Sequence, residues 1–346
     1  MALPPPLRQH PSGPLARRSL LVGTAAWCMG AVAGCTSGAK PPSPVGSSSF
    51  TGSRTTAVAA SSSPGPELPT AVRWRPGPGE IQPAAKLAAV QLVEALGTWP
   101  KGQSGVRAAA GRAAALGIPS ALAAQLAGQA GSLMPPADAA VIRVIDAQYG
   151  GILSDTASVL VVCDQPTLTG RTVRPGGTTV DVRLSRTSSG WGVTALHPAA
   201  PGPARPLNGA AREVLAQSRI ELPPASAADI RSGAVHDSVL HAMLQLAGSY
   251  RLSVSVVRSG HPLDVFGTDR PSDHPLGRAF DVWRIDGHPV VDPATSRTLI
   301  TEFMRAAAGA GSYNVGGPVQ LTGGATANQF FSDDTHHDHV HVGFTA

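Results

Sequence analysis

Two stretches near the C-terminus carry residue types that bind metals and move protons. The first is Ser272-Asp273-His274-Pro275-Leu276-Gly277-Arg278-Ala279-Phe280-Asp281, or S-x-H-x-x-G-x-A-x-D. The second closes the chain as His336-His337-Asp338-His339-Val340-His341-Val342-Gly343-Phe344. Imidazole and carboxylate suit a divalent ion such as zinc, which at a catalytic centre takes three protein ligands and keeps a fourth position for water. Two neutral histidines and one aspartate leave such a centre net positive. That charge lowers the pKa of a bound water from about 15.7 towards about 7 and polarises a carbonyl.

Both stretches have the parity that a site on a sheet requires. Residues 278–283 read as a strand entered from a Gly-containing turn, so Ala279 and Asp281 share one face while Phe280 and Val282 take the other. In the last strand His339, His341 and Gly343 share a face, leaving Val340, Val342 and Phe344 to pack into a core. Histidines at i and i+2 lie about 6.5–7 Å apart at Cα, given a rise of about 3.3 Å per residue, so both can address one ion.

Together the two motifs resemble the LAS group of zinc peptidases. That group includes D-Ala-D-Ala carboxypeptidases, the murein endopeptidase MepA, lysostaphin-type enzymes and the hedgehog signalling domain. The resemblance covers roughly residues 250–346. It implies one zinc held by His274, Asp281 and His341, with His339 beside it to stabilise the oxyanion or move protons. It also implies a substrate class, peptidoglycan stem peptides with D-amino acids and diaminopimelate, cut as a carboxypeptidase or an endopeptidase would cut them.

Many relatives carry a glutamate base three residues before the last ligand. Asp338 stands there in this chain, one methylene shorter, while the MepA-like pattern H-x-x-H-x-H is met by His336, His339 and His341. The base stays open between His339, His336 and Asp338, with His339 favoured. Arg258 and Ser272 are the residues expected on the substrate side. Arg258, in Val-Arg-Ser-Gly-His, resembles the region that holds a substrate carboxylate, and Ser272 is expected to hydrogen-bond near a ligand. The hedgehog domain shows that such a scaffold can keep metal in a signalling role, so a zinc- or wall-peptide-binding lipoprotein is the alternative.

The elements around these motifs read as α+β. Residues 84–130 are helical in propensity, and strand-like runs follow at 141–145, 159–162, 178–184 and 190–195. Thr179, Asp181 and Arg183 alternate with Val180, Val182 and Leu184, the pattern of a sheet with one wet face. Residues 84–197 thus form a small accessory module, similar in pattern to cystatin-like domains, and no residue in it suggests chemistry. A spacer or partner-binding role is its default. Pro198 to Pro206 mark a boundary. Helices at 207–217 and 235–247 and a strand at 252–257 then open the second domain, 207–346, expected as a hedgehog/DD-peptidase-like fold with an antiparallel sheet and helices.

The N-terminal end reads as targeting. Arg17-Arg18 precede an apolar stretch from Leu20 to Ala33 that is short for a membrane span, and Val32-Ala33-Gly34-Cys35 resembles a lipoprotein lipobox. Residues 1–35 are therefore expected to be a signal peptide, with Cys35 lipidated and holding the protein to the extracytoplasmic face of the cell membrane. Residues 36–83, rich in Ser, Pro and Gly, read as a disordered tether. With Cys28 in the signal and Cys35 lipidated, only Cys163 remains, which precludes an internal disulfide. The formal net charge of +5 is partly borne by the signal, and no basic run is interleaved with aromatics, which argues against nucleic acid.

Overall fold

Pro83 opens helix α1 (Pro83–Gly97), at a position where a missing N–H removes no helical hydrogen bond. Ala85, Ala89, Val90, Leu92, Val93 and Leu96 form its buried stripe, and Lys86, also fully buried, lies at the stripe's edge. Two short helices follow, α2 (Val106–Ala114) and α3 (Ser120–Gln129). The computed structural model describes residues 67–345. The leader, Cys35 and residues 36–66 of the expected tether lie outside the described residues. Among the described residues, no helix is long and apolar enough to cross a membrane.

Residues 67–82, expected as the end of the tether, are docked on the first module. Trp74 and Ile81 pack against the first core, and the Trp74 N–H donates to Glu94 at 3.0 Å. The Tyr149 hydroxyl reaches the carbonyls of Ile81 and Gln82 at 2.9 and 3.0 Å. Two large apolar side chains in a polar stretch suffice to dock it.

A short sheet joins β1 (Ala139–Ala140), β4 (Thr167–Thr169) and β5 (Thr172–Arg174). The larger one is antiparallel and contains β2 (Arg143–Ile152), β3 (Thr156–Asp164), β6 (Gly177–Thr187) and β7 (Gly190–Pro198), side by side in that order. Val159, Val161 and Cys163 of β3 face the core shared with α1 to α3. Burial pushes the Cys163 thiol up to about 12, so it is an inert packing group.

The other face of this sheet is not wet. Leu160 and Val162 pack against Val256, and Thr179 and Asp181 are each 1 % exposed. Asp181 accepts from the Ser158 hydroxyl at 2.6 Å and from Arg183 at 2.8 Å. The face expected to be wet is covered at Thr179 and Asp181, while Arg183 stays part-exposed. At Gly151 the approach is so close that a Cβ would lie 2.0 Å from the Cβ of Phe266.

Beyond Pro206 a second core forms. It takes side chains from α4 (Gly209–Ala216), α5 (Pro224–Arg231, through Ile230), α6 (Asp237–Ala247) and α7 (Arg297–Gly309). The strands are β8 (Ile220–Glu221), β9 (Leu252–Val254), β10 (Ala279–Ile285), β11 (His288–Pro289), β12 (Asn314–Gly316), β13 (Phe330–Phe331) and β14 (Val340–Gly343). Their order is β13-β12-β14-β10-β9-β8, with β11 paired to β10. The centre is antiparallel as expected, but both edge pairs, β12–β13 and β8–β9, are parallel. The fold is α+β, with two helix-on-sheet cores meeting at the covered face of β3.

Candidate metal centre

β10 and β14 pair in the register Phe280↔Val342, Asp281↔His341 and Val282↔Val340. Phe280, Val282, Val340 and Val342 enter the second core, which drives Asp281 and His341 together onto the opposite face. His274 arrives from the turn before β10. Gly277 makes that turn at φ 72°, and a Cβ there would fall 2.0 Å from the Ala234 carbonyl oxygen, so only glycine fits.

Three ligand atoms converge. His274 Nε2 lies 3.1 Å from Asp281 Oδ1 and 3.1 Å from His341 Nδ1, and the latter two are 3.0 Å apart. His274 Nδ1 donates to the Val257 carbonyl at 2.9 Å, which leaves a lone pair on Nε2. One proton can bridge only one of the three contacts, whereas a cation satisfies all of them. A tetrahedral ion with bonds of about 2.0–2.1 Å sets its donors about 3.3–3.4 Å apart, close to this triangle. His261, His274 and Asp281, whose ligand atoms lie within 4.8 Å of one another, could hold a metal ion, and His341 Nδ1 stands beside the last two.

The charges suit that role. Burial opposes ionisation of Asp281, but His274 and His339 beside it hold its pKa well below the usual carboxylate range. Burial, outweighing Asp281, pushes His341 down to about 4, so its imidazole is neutral and available to a metal. His261, stacked on His274 with ring centroids 4.1 Å apart, is lowered by burial and by that neighbour.

His339 lies on the same side. Its Nε2 is 3.8 Å from Asp281 Oδ2, and its Nδ1 donates to Asp338 Oδ1 at 2.6 Å. Burial alone would lower His339, but Asp281 and Asp338 raise it. His336 stands at the rim, its ring 5.2 Å from that of His339 and its Nδ1 on Asp333 at 2.7 Å. The cluster lines one side of a cleft of about 1060 Å³ that Tyr149 to Leu153 close from the first module.

No protein-family model, curated protein or solved structure matches this chain.

Asp338 is not at the cluster. Its Oδ2 accepts from Lys86 Nζ at 2.6 Å and from the Tyr149 N–H at 3.1 Å, so both oxygens are engaged behind His339. Ser272 is buried beside the cluster, its hydroxyl 3.4 Å from His261 Nδ1. Arg258 goes elsewhere. Its guanidinium reaches the Pro201 carbonyl at 3.3 Å and Asp229 at 3.6 Å, facing a neighbouring cleft of about 860 Å³. A strand-end arginine next to a buried carboxylate is satisfied locally, and the substrate role read for it finds no support in this placement.

Gln148 was missed altogether. Its Nε2 donates to Asp281 Oδ2 at 2.6 Å, and its Oε1 accepts from the Ser255 hydroxyl. Asp281 thus keeps Oδ1 for the cluster while Oδ2 is held from the first module. The available signal was a polar residue following the apolar run 141–145, at the same alternation as Asp146. Gln148→Leu strands Oδ2 in a dry site and should weaken divalent-metal affinity by roughly 10- to 100-fold, read by titration against a competing chelator. Unchanged affinity would show that Gln148 serves packing only.

Proposed function

We propose that this protein is a zinc peptidase of the LAS type that hydrolyses peptide bonds in peptidoglycan, working as a membrane-anchored lipoprotein through Cys35. The observation that carries the reading is the convergence of His274 Nε2, Asp281 Oδ1 and His341 Nδ1 within 3.0–3.1 Å on the wall of an open cleft. Two imidazoles and one carboxylate are a catalytic zinc donor set that leaves room for a fourth partner. The substrate class and the hedgehog/DD-peptidase-like and cystatin-like assignments of the two modules rest on the resemblance of the sequence motifs.

Zinc held there supplies a Lewis acid for the attacking water and the scissile carbonyl. The residues of the chain do the rest. Asp338 holds His339 with Nε2 towards the cluster, where it accepts a proton from water as the oxygen bonds to the carbonyl carbon. The same nitrogen returns the proton to the departing amine as the C–N bond breaks. His339 fills the role the missing glutamate would have had, because both oxygens of Asp338 are turned away from the cleft.

That last observation also favours a second reading, a zinc- or wall-peptide-binding lipoprotein without turnover. Incubating the zinc-loaded protein with purified muropeptides, followed by mass analysis, separates the two. The peptidase reading expects new products and identifies the bond cut. Binding without any new product overturns it in favour of the second.

A further inference from the structure

The first module contributes a buried cation to the second module's site. Lys86 on α1 is 0 % exposed, and its ammonium pairs with two acidic partners of different origin: Glu80 from the docked segment before α1, and Asp338 at 2.6 Å from the segment before β14. Asp338 completes its acceptor set with the Tyr149 N–H at 3.1 Å and His339 Nδ1 at 2.6 Å. Tyr149 in turn lies under Lys86, the ammonium 5.0 Å from its ring centroid, and its hydroxyl pins the segment carrying Glu80.

Glu80, His337 and Asp338 gather closely enough to invite a second metal. Lys86 Nζ already occupies the space between the two carboxylates, so the cation of this cluster is the lysine itself. A buried ammonium is costly to maintain unless each of its partners is fixed. Here the cost is met by groups that end, through Asp338, on His339, an imidazole beside the metal cluster.

We propose that Lys86 is a positioning residue for the site: its ammonium fixes Asp338, and Asp338 fixes the His339 ring with Nδ1–H inward and Nε2 facing His274, Asp281 and His341. The inference rests on the reading of His339 as the proton-handling group. It makes the first module part of the catalytic unit rather than a spacer. Burial of Lys86 alone would favour the neutral amine, but Asp338, Glu80 and Asp146 outweigh it and raise its pKa. Asp338 is held well below the usual carboxylate range chiefly by Lys86 and His339, against the effect of its burial.

The test uses the full chain with ¹⁵N-labelled histidine. In the unsubstituted protein at neutral pH, His339 should show a low-field Nδ1–H resonance with the long-range pattern of an Nδ1-protonated ring. Lys86→Met should lose or displace that resonance while keeping one zinc per chain. Turnover of muropeptides should fall roughly 10- to 100-fold in kcat with little change in KM. Asp338→Asn should reproduce the spectral change, and Lys86→Met added to it should make kcat no worse, as expected of residues acting in series.

Should Lys86→Met fail to fold, Lys86→Gln retains hydrogen-bonding groups in the same space without the charge and gives the same readout. An unaltered His339 resonance in a folded Lys86 variant overturns the proposal, whatever the activity. If the unsubstituted protein cuts no muropeptide, the peptidase reading fails instead, and the resonance still decides the role of Lys86.

Discussion

Asp281→Ala should abolish stoichiometric zinc binding, reducing affinity by far more than the roughly 10- to 100-fold typical of removing an outer hydrogen-bond partner. The reason is that this one side chain serves three groups. Oδ1 faces both His274 and His341 at 3.0–3.1 Å, and Oδ2 accepts from Gln148 at 2.6 Å. Alanine removes the only anionic donor and leaves two imidazole nitrogens 3.1 Å apart with nothing between them. Metal content after dialysis and a chelator competition would check it, and His274→Ala, which removes a neutral donor on the same ion, should give the same loss. Zinc held at one per chain in both variants would mean that the cluster is not the metal site.

His339→Ala should have the opposite profile, with metal retained and muropeptide turnover reduced by roughly 10²- to 10⁴-fold, the range for loss of a general acid–base group. His339 Nε2 is 3.8 Å from Asp281 Oδ2, outside direct ligand geometry, while the ring is anchored through Nδ1 on Asp338. His336→Ala should have a smaller effect, since that ring lies at the rim and bonds to the half-exposed Asp333. A zinc-loaded His339→Ala protein with full turnover would remove His339 from the mechanism and move attention to His336.

The residues of the metal cluster were legible because strand parity leaves little choice. Once Phe280, Val282, Val340 and Val342 are assigned to a core, Asp281 and His341 must share the other face. Register could not be read, and it is register that sets Asp281 directly opposite His341. The four long strands of the first module and helices α4 and α6 were also visible as apolar patterns. β2 was underread. Its apolar start at 141–145 gives way to Asp146, Gln148 and two glycines, which look like a turn but continue as strand to Ile152. Gln148 among them is buried because another module lies over it, and no local pattern encodes that cover. Lys86 was invisible for a similar reason, since one lysine in an Ala-rich helix is ordinarily solvated.

The seam between the two cores has a mechanical consequence. Lys86–Asp338, Gln148–Asp281 and Tyr149 N–H–Asp338 all cross it, and they are buried. Swinging one half away from the other would part all three at once, separating Asp338 from the Lys86 ammonium and Asp281 from its amide donor. Opening along this seam is opposed by contacts that must break together. The cleft that leads to the histidines is lined by Gly151 on the side of the first module and by Phe331 on that of the second.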